Sequence, residues 1–215
     1  NICCYGVIGN DNDGKLLLDD LNGIGVETDG IIEVSDRPTT VKVRMMGHLQ
    51  SAGKGIQQIL RIDYEKTDDI EEKIQDEIVN KIESKVQHVD IILISDMNKG
   101  VLSTRILDTV IRLGKDHKVP VIVDPRLSND YTIYKGATAI TPNRFETKLS
   151  TGIKITDINS MKSAGRKLLE ESLFECVIIT ADKDGMFLYR KDGSCDLIST
   201  VPKDVYDVSG AGDMV

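Results

Sequence analysis

From Thr67 onward the chain alternates helical stripes with short apolar runs, and that order confines it to a narrow set of folds. Ile70, Ile74, Ile78, Ile82 and Val86 recur every four residues after Thr67, whose hydroxyl suits a helix cap, so one apolar stripe runs along a helix. Residues 89–94, Val-Asp-Ile-Ile-Leu-Ile, form a short apolar run of the kind expected of a strand buried on both faces. The spacing of Ile106, Val110 and Leu113 predicts a second helix over residues 103–117, and residues 119–123 read as the next strand. Residues 138–140 and 176–179 add two further strands, with a helix around residues 161–169 between them. Repeated strand and helix in this order predicts an α/β fold, a mostly parallel sheet flanked by helices.

Residues 31–63 follow another rule. Val41, Val43 and Met45 alternate with Lys42, Arg44 and Met46, the period-two pattern of a strand with one wet face. A glycine-containing loop over residues 48–55 then leads to Ile59-Leu60-Arg61-Ile62-Asp63. This predicts a small antiparallel insertion, residues 31–63, projecting as a β lid from a single domain that occupies residues 1–215. Gly53-Lys54-Gly55 resembles part of a phosphate-binding P-loop, but no Ser or Thr follows Lys54 and the segment joins two strands, so that reading is rejected.

Charge and cysteine content exclude several functions. With 35 acidic against 27 basic residues the formal net charge is −8, which argues against a general nucleic-acid binder. No apolar run reaches membrane-spanning length, and the first residues lack the order of a signal peptide. The four cysteines (Cys3, Cys4, Cys176 and Cys195) form no CxxC pair and read as reduced thiols of a cytoplasmic protein. The three histidines (His48, His88 and His117) are scattered among polar residues, in no arrangement that suggests a metal site.

Open α/β sheets gather ligands at the carboxyl ends of their parallel strands. The residues at those positions are Ser95, Asp96, Asn98, Lys99 and Gly100; Asp124, Pro125 and Arg126; Thr141, Asn143 and Glu146; and Thr180, Asp182, Lys183 and Gly185. The sharpest local signal is Asp207-Val208-Ser209-Gly210-Ala211-Gly212-Asp213. Three small residues ahead of a helix let backbone N–H groups approach an anion closely, and the helix N-terminus adds partial positive charge. Phosphoryl transfer needs that cradle and a base beside the attacking hydroxyl, which Asp213 could supply. Spacing alone leaves open that Asp213 only complements the helix dipole, worth about 0.3–1 kcal/mol.

Gly-Ala-Gly-Asp after Asp-x-Ser is similar to the second signature of the PfkB, or ribokinase-like, carbohydrate kinases, and three more marks follow that family's order. Gly6, Gly9, Asp11 and Gly14 match G-x-x-G-x-D-x-x-G; Asn143 and Glu146 match N-x-x-E; Thr180 and Gly185 match the T-x-x-x-x-G turn. Within the family, Arg37-Pro38-Thr39-Thr40-Val41-Lys42-Val43-Arg44, Ser95-Asp96-Met97-Asn98-Lys99-Gly100 and Asp124-Pro125-Arg126 resemble the D-glycero-β-D-manno-heptose 7-phosphate kinases of ADP-heptose and lipopolysaccharide synthesis.

The resemblance implies an ATP- and Mg²⁺-dependent kinase acting on the anomeric hydroxyl of a heptose 7-phosphate. It implies Asp213 as base, with the N–H groups of Gly210, Ala211 and Gly212 on the transferring phosphoryl group. Asn143 and Glu146 would order magnesium, directly or through water. Thr180, Lys183 and Gly185 would lie by the nucleotide, and Asp207 and Ser209 by a monovalent cation such as K⁺. Lys42, Arg44 and Arg61 share a lid face and, with Asp96, Lys99 and Asp124, would contact the sugar or its phosphate; the lid would pair two subunits as a homodimer. Met214 departs from the small residue usual after the final Asp. The chain opens on Asn1-Ile2-Cys3-Cys4 as if a strand were under way and stops just after Gly-Ala-Gly-Asp, so an internal fragment with negligible activity of its own is expected. A relative directed at fructose, ribose or a nucleoside, and a non-catalytic module of the same fold, stay open.

Overall fold

The computed structural model describes residues 1–48 and 56–199, and the chain divides into two compact units, Asn1–Val121 and Ile122–Val215. In the first unit, β1 (Cys3–Gly9) and β2 (Glu27–Val34) pair in parallel, with Tyr5 opposite Gly30 and Gly9 opposite Val34, and α1 (Asn12–Gly23) connects them. The glycines of the first motif have a packing cause. A β-carbon on Gly9 would lie 2.6 Å from the Thr39 nitrogen, and one on Gly14 would lie 2.7 Å from the Gly9 carbonyl. Gly6 has open space around it, so packing gives no reason for that glycine.

Asp11 caps α1 by accepting from the Gly14 N–H at 2.8 Å. Its carboxylate also accepts the Thr39 N–H at 2.8 Å and the Thr39 hydroxyl at 2.7 Å, while that hydroxyl accepts from the Gly9 N–H. One acid therefore ties the start of α1 to the segment that enters the next strand. The antiparallel pair is β3 (Val41–His48) with β4 (Ile56–Tyr64), irregular between Met45 and Met46. Both faces of this ribbon are open: Val43, Met45, Leu60 and Ile62 are exposed on one side, as are the cations on the other.

The remainder of the first unit is α2 (Glu72–Lys85), β5 (Ile92–Ser95) and α3 (Thr104–His117). The α2 stripe is where the periodicity puts it, with Ile78 and Val86 buried, but the helix begins later than expected. Thr67 caps nothing; Glu71 is the cap residue, makes no side-chain cap bond, and leaves Ile70 buried ahead of the helix. For α3 the cap is Ser103, the first residue of the range the spacing predicts, its hydroxyl accepting from the Ile106 N–H. Val86, Leu113 and Val119 form a core cluster with Ile82, Val89 and Ile92 against it.

The run at residues 89–94 is not buried on both faces. Leu93 is 72 % exposed and Ile91 44 %. Both line a cleft of about 1300 Å³ whose walls include residues 1–7, from β1 and the residues before it, and residues 88–97 around β5. Among the described residues β1 pairs with β2 alone and β5 stands at the end of its sheet, so each strand shows an unpaired edge.

The second unit is built on a mixed sheet in the order β10 (Cys195–Ile198), β9 (Met186–Arg190), β8 (Cys176–Thr180), β7 (Ala139–Ile140), β6 (Val121–Asp124). β6, β7 and β8 run parallel and β9 and β10 return antiparallel, so the sequence-predicted parallel core carries a two-strand edge. Two helices, α4 (Arg144–Thr151) and α5 (Ile158–Ser172), belong to it. Met161, Ala164 and Leu168 form the buried stripe of α5, and a β-carbon on Gly165 would sit 3.0 Å from Tyr189. Val123, Ile140, Val177, Ile179 and Phe187 are fully buried at the centre. Asp157 caps α5 in a box with Ser160. All four cysteines are free and only part-buried, so none is a core thiol in the full sense. No helix among the described residues is long and apolar enough to cross a membrane.

Candidate active site

The first unit brings the cations of the β3–β4 ribbon together and supplies acids that a count of cations overlooks. Lys42 lies opposite Asp63 and Arg44 opposite Arg61 in the β3–β4 ladder, so the side chains of all four share one face. Arg61 Nε is 2.9 Å from Asp63 Oδ1, a charge contact rather than an aligned hydrogen bond, and Lys42 Nζ is 3.7 Å from Asp63 Oδ2. One carboxylate thus touches two of the three cations. At the root of the lid, Lys99 is held by Glu65 at 2.5 Å, and its carbonyl accepts from Arg37 Nη1 at 3.3 Å. Arg37 is buried and also donates to the Asp68 carbonyl at 2.9 Å. Asp96 is buried, accepting the Asn98 N–H at 2.8 Å in a tight turn that holds Asn98 at φ +55°. Gly100 is obligatory there, since at φ +76° a β-carbon would lie 1.9 Å from the Asp68 carbonyl.

In the second unit the ends of β6, β7 and β8 converge. Asn143 and Thr180 form a parallel bridge, and the Thr180 N–H donates to the Pro142 carbonyl at 3.0 Å. Two of the sequence motifs therefore run side by side. Asn143 and Glu146 form a capping box at the start of α4: Asn143 Oδ1 accepts the Glu146 N–H at 2.9 Å, and Glu146 Oε2 accepts the Asn143 N–H at 2.8 Å. That arrangement fixes Glu146 and uses one carboxylate oxygen.

Burial lifts the Glu146 carboxyl above the ordinary carboxylate range; the Asn143 N–H opposes this and the Asp124 charge adds to it. Burial likewise drives the Tyr131 phenol up, reinforced by Glu146 and then Asp124, which sets these three groups in one neighbourhood. Thr141 Oγ1 reaches Asp124 Oδ1 at 3.4 Å. Two mutually repelling hard oxygen donors suit a divalent cation that brings its own water and phosphate ligands, as Mg²⁺ does. No group of three or more His, Cys, Asp or Glu able to enclose a metal occurs among the described residues.

After β8, Asp182–Asp184 make one turn of 3₁₀ helix and Gly185 follows at φ +91°. A β-carbon on Gly185 would meet the Ile198 carbonyl at 1.9 Å, which explains the glycine of the T-x-x-x-x-G turn. Lys183 is on this turn. Asp207, Ser209, Gly210, Ala211, Gly212 and Asp213 lie outside the described residues. Three residues with a clear part in the geometry escape a motif reading: Asp63, Glu65 and Arg144. The first two are acids interleaved with the cations; the third occupies a motif position in N-x-x-E that any residue can fill.

The sequence pattern of the pfkB family carbohydrate kinases matches residues 3–215. The bifunctional protein HldE of Geobacter metallireducens is 40 % identical over 209 residues, covering 97 % of this chain and 41 % of the relative. That of Wolinella succinogenes is 39 % identical over 215 residues, covering 100 % and 43 %. The chain thus spans less than half the length of these relatives. Among solved structures, Arabidopsis thaliana ribokinase complexed with ribose and ATP matches with a TM-score of 0.73 at 23 % identity, over 98 % of this chain and 65 % of that one. Escherichia coli phosphofructokinase-2 in complex with substrates and products matches with a TM-score of 0.71 at 15 % identity, over 98 % and 66 %. The fold is therefore ribokinase-like.

Proposed function

Because this chain belongs to the pfkB family of carbohydrate kinases, we propose that its gene product transfers the γ-phosphoryl group of ATP to the anomeric hydroxyl of a heptose 7-phosphate. The observation that carries the choice of a phosphorylated sugar is the face shared by Lys42, Arg44 and Arg61, where among the described residues Asp63 is the acid that touches Lys42 and Arg61. Opposed cations of this kind repel until an anion bridges them, and a sugar phosphate supplies two negative charges. The likeness to the HldE proteins supports the same choice.

In this reading residues 1–215 work as one kinase domain with residues 31–63 as its lid. Asp213 takes the proton of the sugar hydroxyl as its oxygen bonds to the γ-phosphorus, and the bond to the ADP oxygen breaks. The N–H groups of Gly210, Ala211 and Gly212 hydrogen-bond the phosphoryl oxygens as charge spreads over them. Asp124 and Glu146, with Asn143 fixing Glu146, would hold Mg²⁺, which supplies charge neutralisation on the phosphates. Asp124, whose charge acts on the Glu146 carboxyl, is assigned to the cation here beside the sugar contact that the family resemblance implies. Thr180, Lys183 and Gly185 line the nucleotide side, Asp96 and Lys99 the sugar side, and Asp207 and Ser209 would take a monovalent cation such as K⁺. The exposed apolar lid face of Val43, Met45, Leu60 and Ile62 would be covered by a second copy in a cytoplasmic homodimer.

The test is ADP release by the purified full-length gene product with heptose 7-phosphate, unphosphorylated heptose, fructose and ribose. Release stimulated by heptose 7-phosphate and lowered on the order of 10²-fold or more by Asp213→Asn is expected. Release driven best by an unphosphorylated sugar would replace the substrate, and activity untouched by Asp213→Asn would remove the mechanism.

A further inference from the structure

Arg144, the first residue of α4, sends its guanidinium to two separate pieces of the second unit. Nη1 donates to the Ile155 carbonyl at 3.4 Å and Nη2 to the Ala181 carbonyl at 3.3 Å; Nη2 also bonds Asp184 Oδ2, and Nε lies 3.7 Å from Asp182 Oδ2. The side chain is only 24 % exposed, so these contacts are partly shielded from water. Its targets are the loop after α4 and the turn over residues 181–185.

That turn is costly to hold. Asp182 sits at φ +50°, a left-handed conformation that a side chain disfavours, and Gly185 is confined by the Ile198 carbonyl. Within the turn, the Ala181 N–H donates to the Gly185 carbonyl at 2.7 Å and the Asp184 N–H to the Ala181 carbonyl at 3.0 Å. The Ala181 carbonyl is thus shared between the turn's own closure and Arg144. The turn also exposes two carboxylates, Asp182 and Asp184, whose charge would repel an incoming polyphosphate. A guanidinium fork answers both at once, spanning a carbonyl and two carboxylates in one plane as an ammonium cannot.

We propose that Arg144 is a positioning residue for the nucleotide: it locks the turn after β8 onto the start of α4 and screens Asp182 and Asp184 from the phosphates. The proposal rests on the kinase reading for the identity of the anion. Its test uses the full-length gene product, with Mg-ADP affinity by calorimetry, KM for ATP and for the sugar, and amide hydrogen exchange over residues 181–185. Arg144→Ala is expected to weaken Mg-ADP binding and raise the ATP KM about tenfold, leave the sugar KM within about twofold, and speed exchange in the turn. Arg144→Lys should fall between, and adding Asp182→Asn with Asp184→Asn should recover part of the lost affinity.

Equal rises in both KM values would make Arg144 a general support, and unchanged Mg-ADP affinity beside faster exchange would remove its link to the nucleotide. Either result overturns the proposal. If the parent protein binds Mg-ADP but phosphorylates no sugar, the kinase reading fails and the calorimetric comparison still decides on Arg144. Failure of the parent to bind Mg-ADP at all overturns both.

Discussion

Arg44 and Arg61 stand directly opposite one another in the β3–β4 ladder, like charge against like charge. Cross-strand pairs of this kind destabilise a ribbon by up to about 1 kcal/mol unless something anionic joins them. Asp63 touches Arg61 and Lys42, and no ion pair of Arg44 occurs among the described residues. The ribbon therefore tolerates a repulsion that a bound phosphate would turn into attraction.

Arg44→Ala should separate the two effects. In the full-length gene product it is expected to raise the KM for a phosphorylated sugar about tenfold or more, the loss of a charged hydrogen bond. Thermal stability without ligand should stay level or rise slightly. A variant with unchanged KM, followed by initial rates at varied sugar phosphate, would mean the lid face binds something else.

Glu146 yields a prediction in pH and metal. Burial raises its folded-state carboxyl above the unfolded value, so ionising it costs stability. That cost is absent below the unfolded value, grows as the pH rises towards the folded one, and is complete above it. Glu146→Gln keeps an oxygen for the capping box and removes the charge. At pH 7 the variant should unfold at an equal or higher temperature, while Mg²⁺ activates its kinase about tenfold less readily. Calorimetric melting and Mg²⁺ titration of ADP release read the two separately. A lower melting temperature with normal Mg²⁺ response would assign Glu146 to the helix cap alone.

Asp11 behaves in the opposite sense. Hydrogen bonds from the Thr39 N–H, the Thr39 hydroxyl and the Gly14 N–H hold its carboxyl below the ordinary range. Its contribution is present above the unfolded carboxyl value and disappears as the pH falls through the lower folded one. Asp11→Ala should lower stability at pH 7, as loss of a helix cap does, and the gap should narrow in acid. Urea melts at pH 7 and pH 3 measure it; a gap of constant size would show that the acid's charge is irrelevant.

Phe187 is fully buried in the second unit, with Tyr189 stacked at 6.3 Å between ring centroids. Phe187→Ala should cost about 3–5 kcal/mol, read from urea unfolding. A loss below about 1 kcal/mol would mean the sheet collapses into the space.

Periodicity carried most of the fold because each long element is governed by one physical rule. The α3 stripe and the strands expected at residues 176–179 and 138–140 are found with shifts of a residue or two. Thr67 failed as a cap because Ile70 is buried by tertiary packing ahead of the helix, outside any helical period. Leu93 failed as a core residue because an apolar run reports what could be buried, and here one face of β5 borders a cleft. Asn143 and Thr180, which the sequence placed at the ends of separate strands, bridge each other because β7 and β8 run parallel. Motif spacing could not foresee that Asn143 and Glu146 bond each other, or that Arg144 reaches two segments, because those depend on side-chain direction.

The two bare strand borders that flank the cleft have a practical outcome. A backbone ladder with no neighbour recruits whatever extended peptide is at hand, and here both sides of a single hollow offer one. Residues 1–215 produced by themselves should clump in proportion to concentration, whatever the lid does, and light scattering on a dilution series would reveal it.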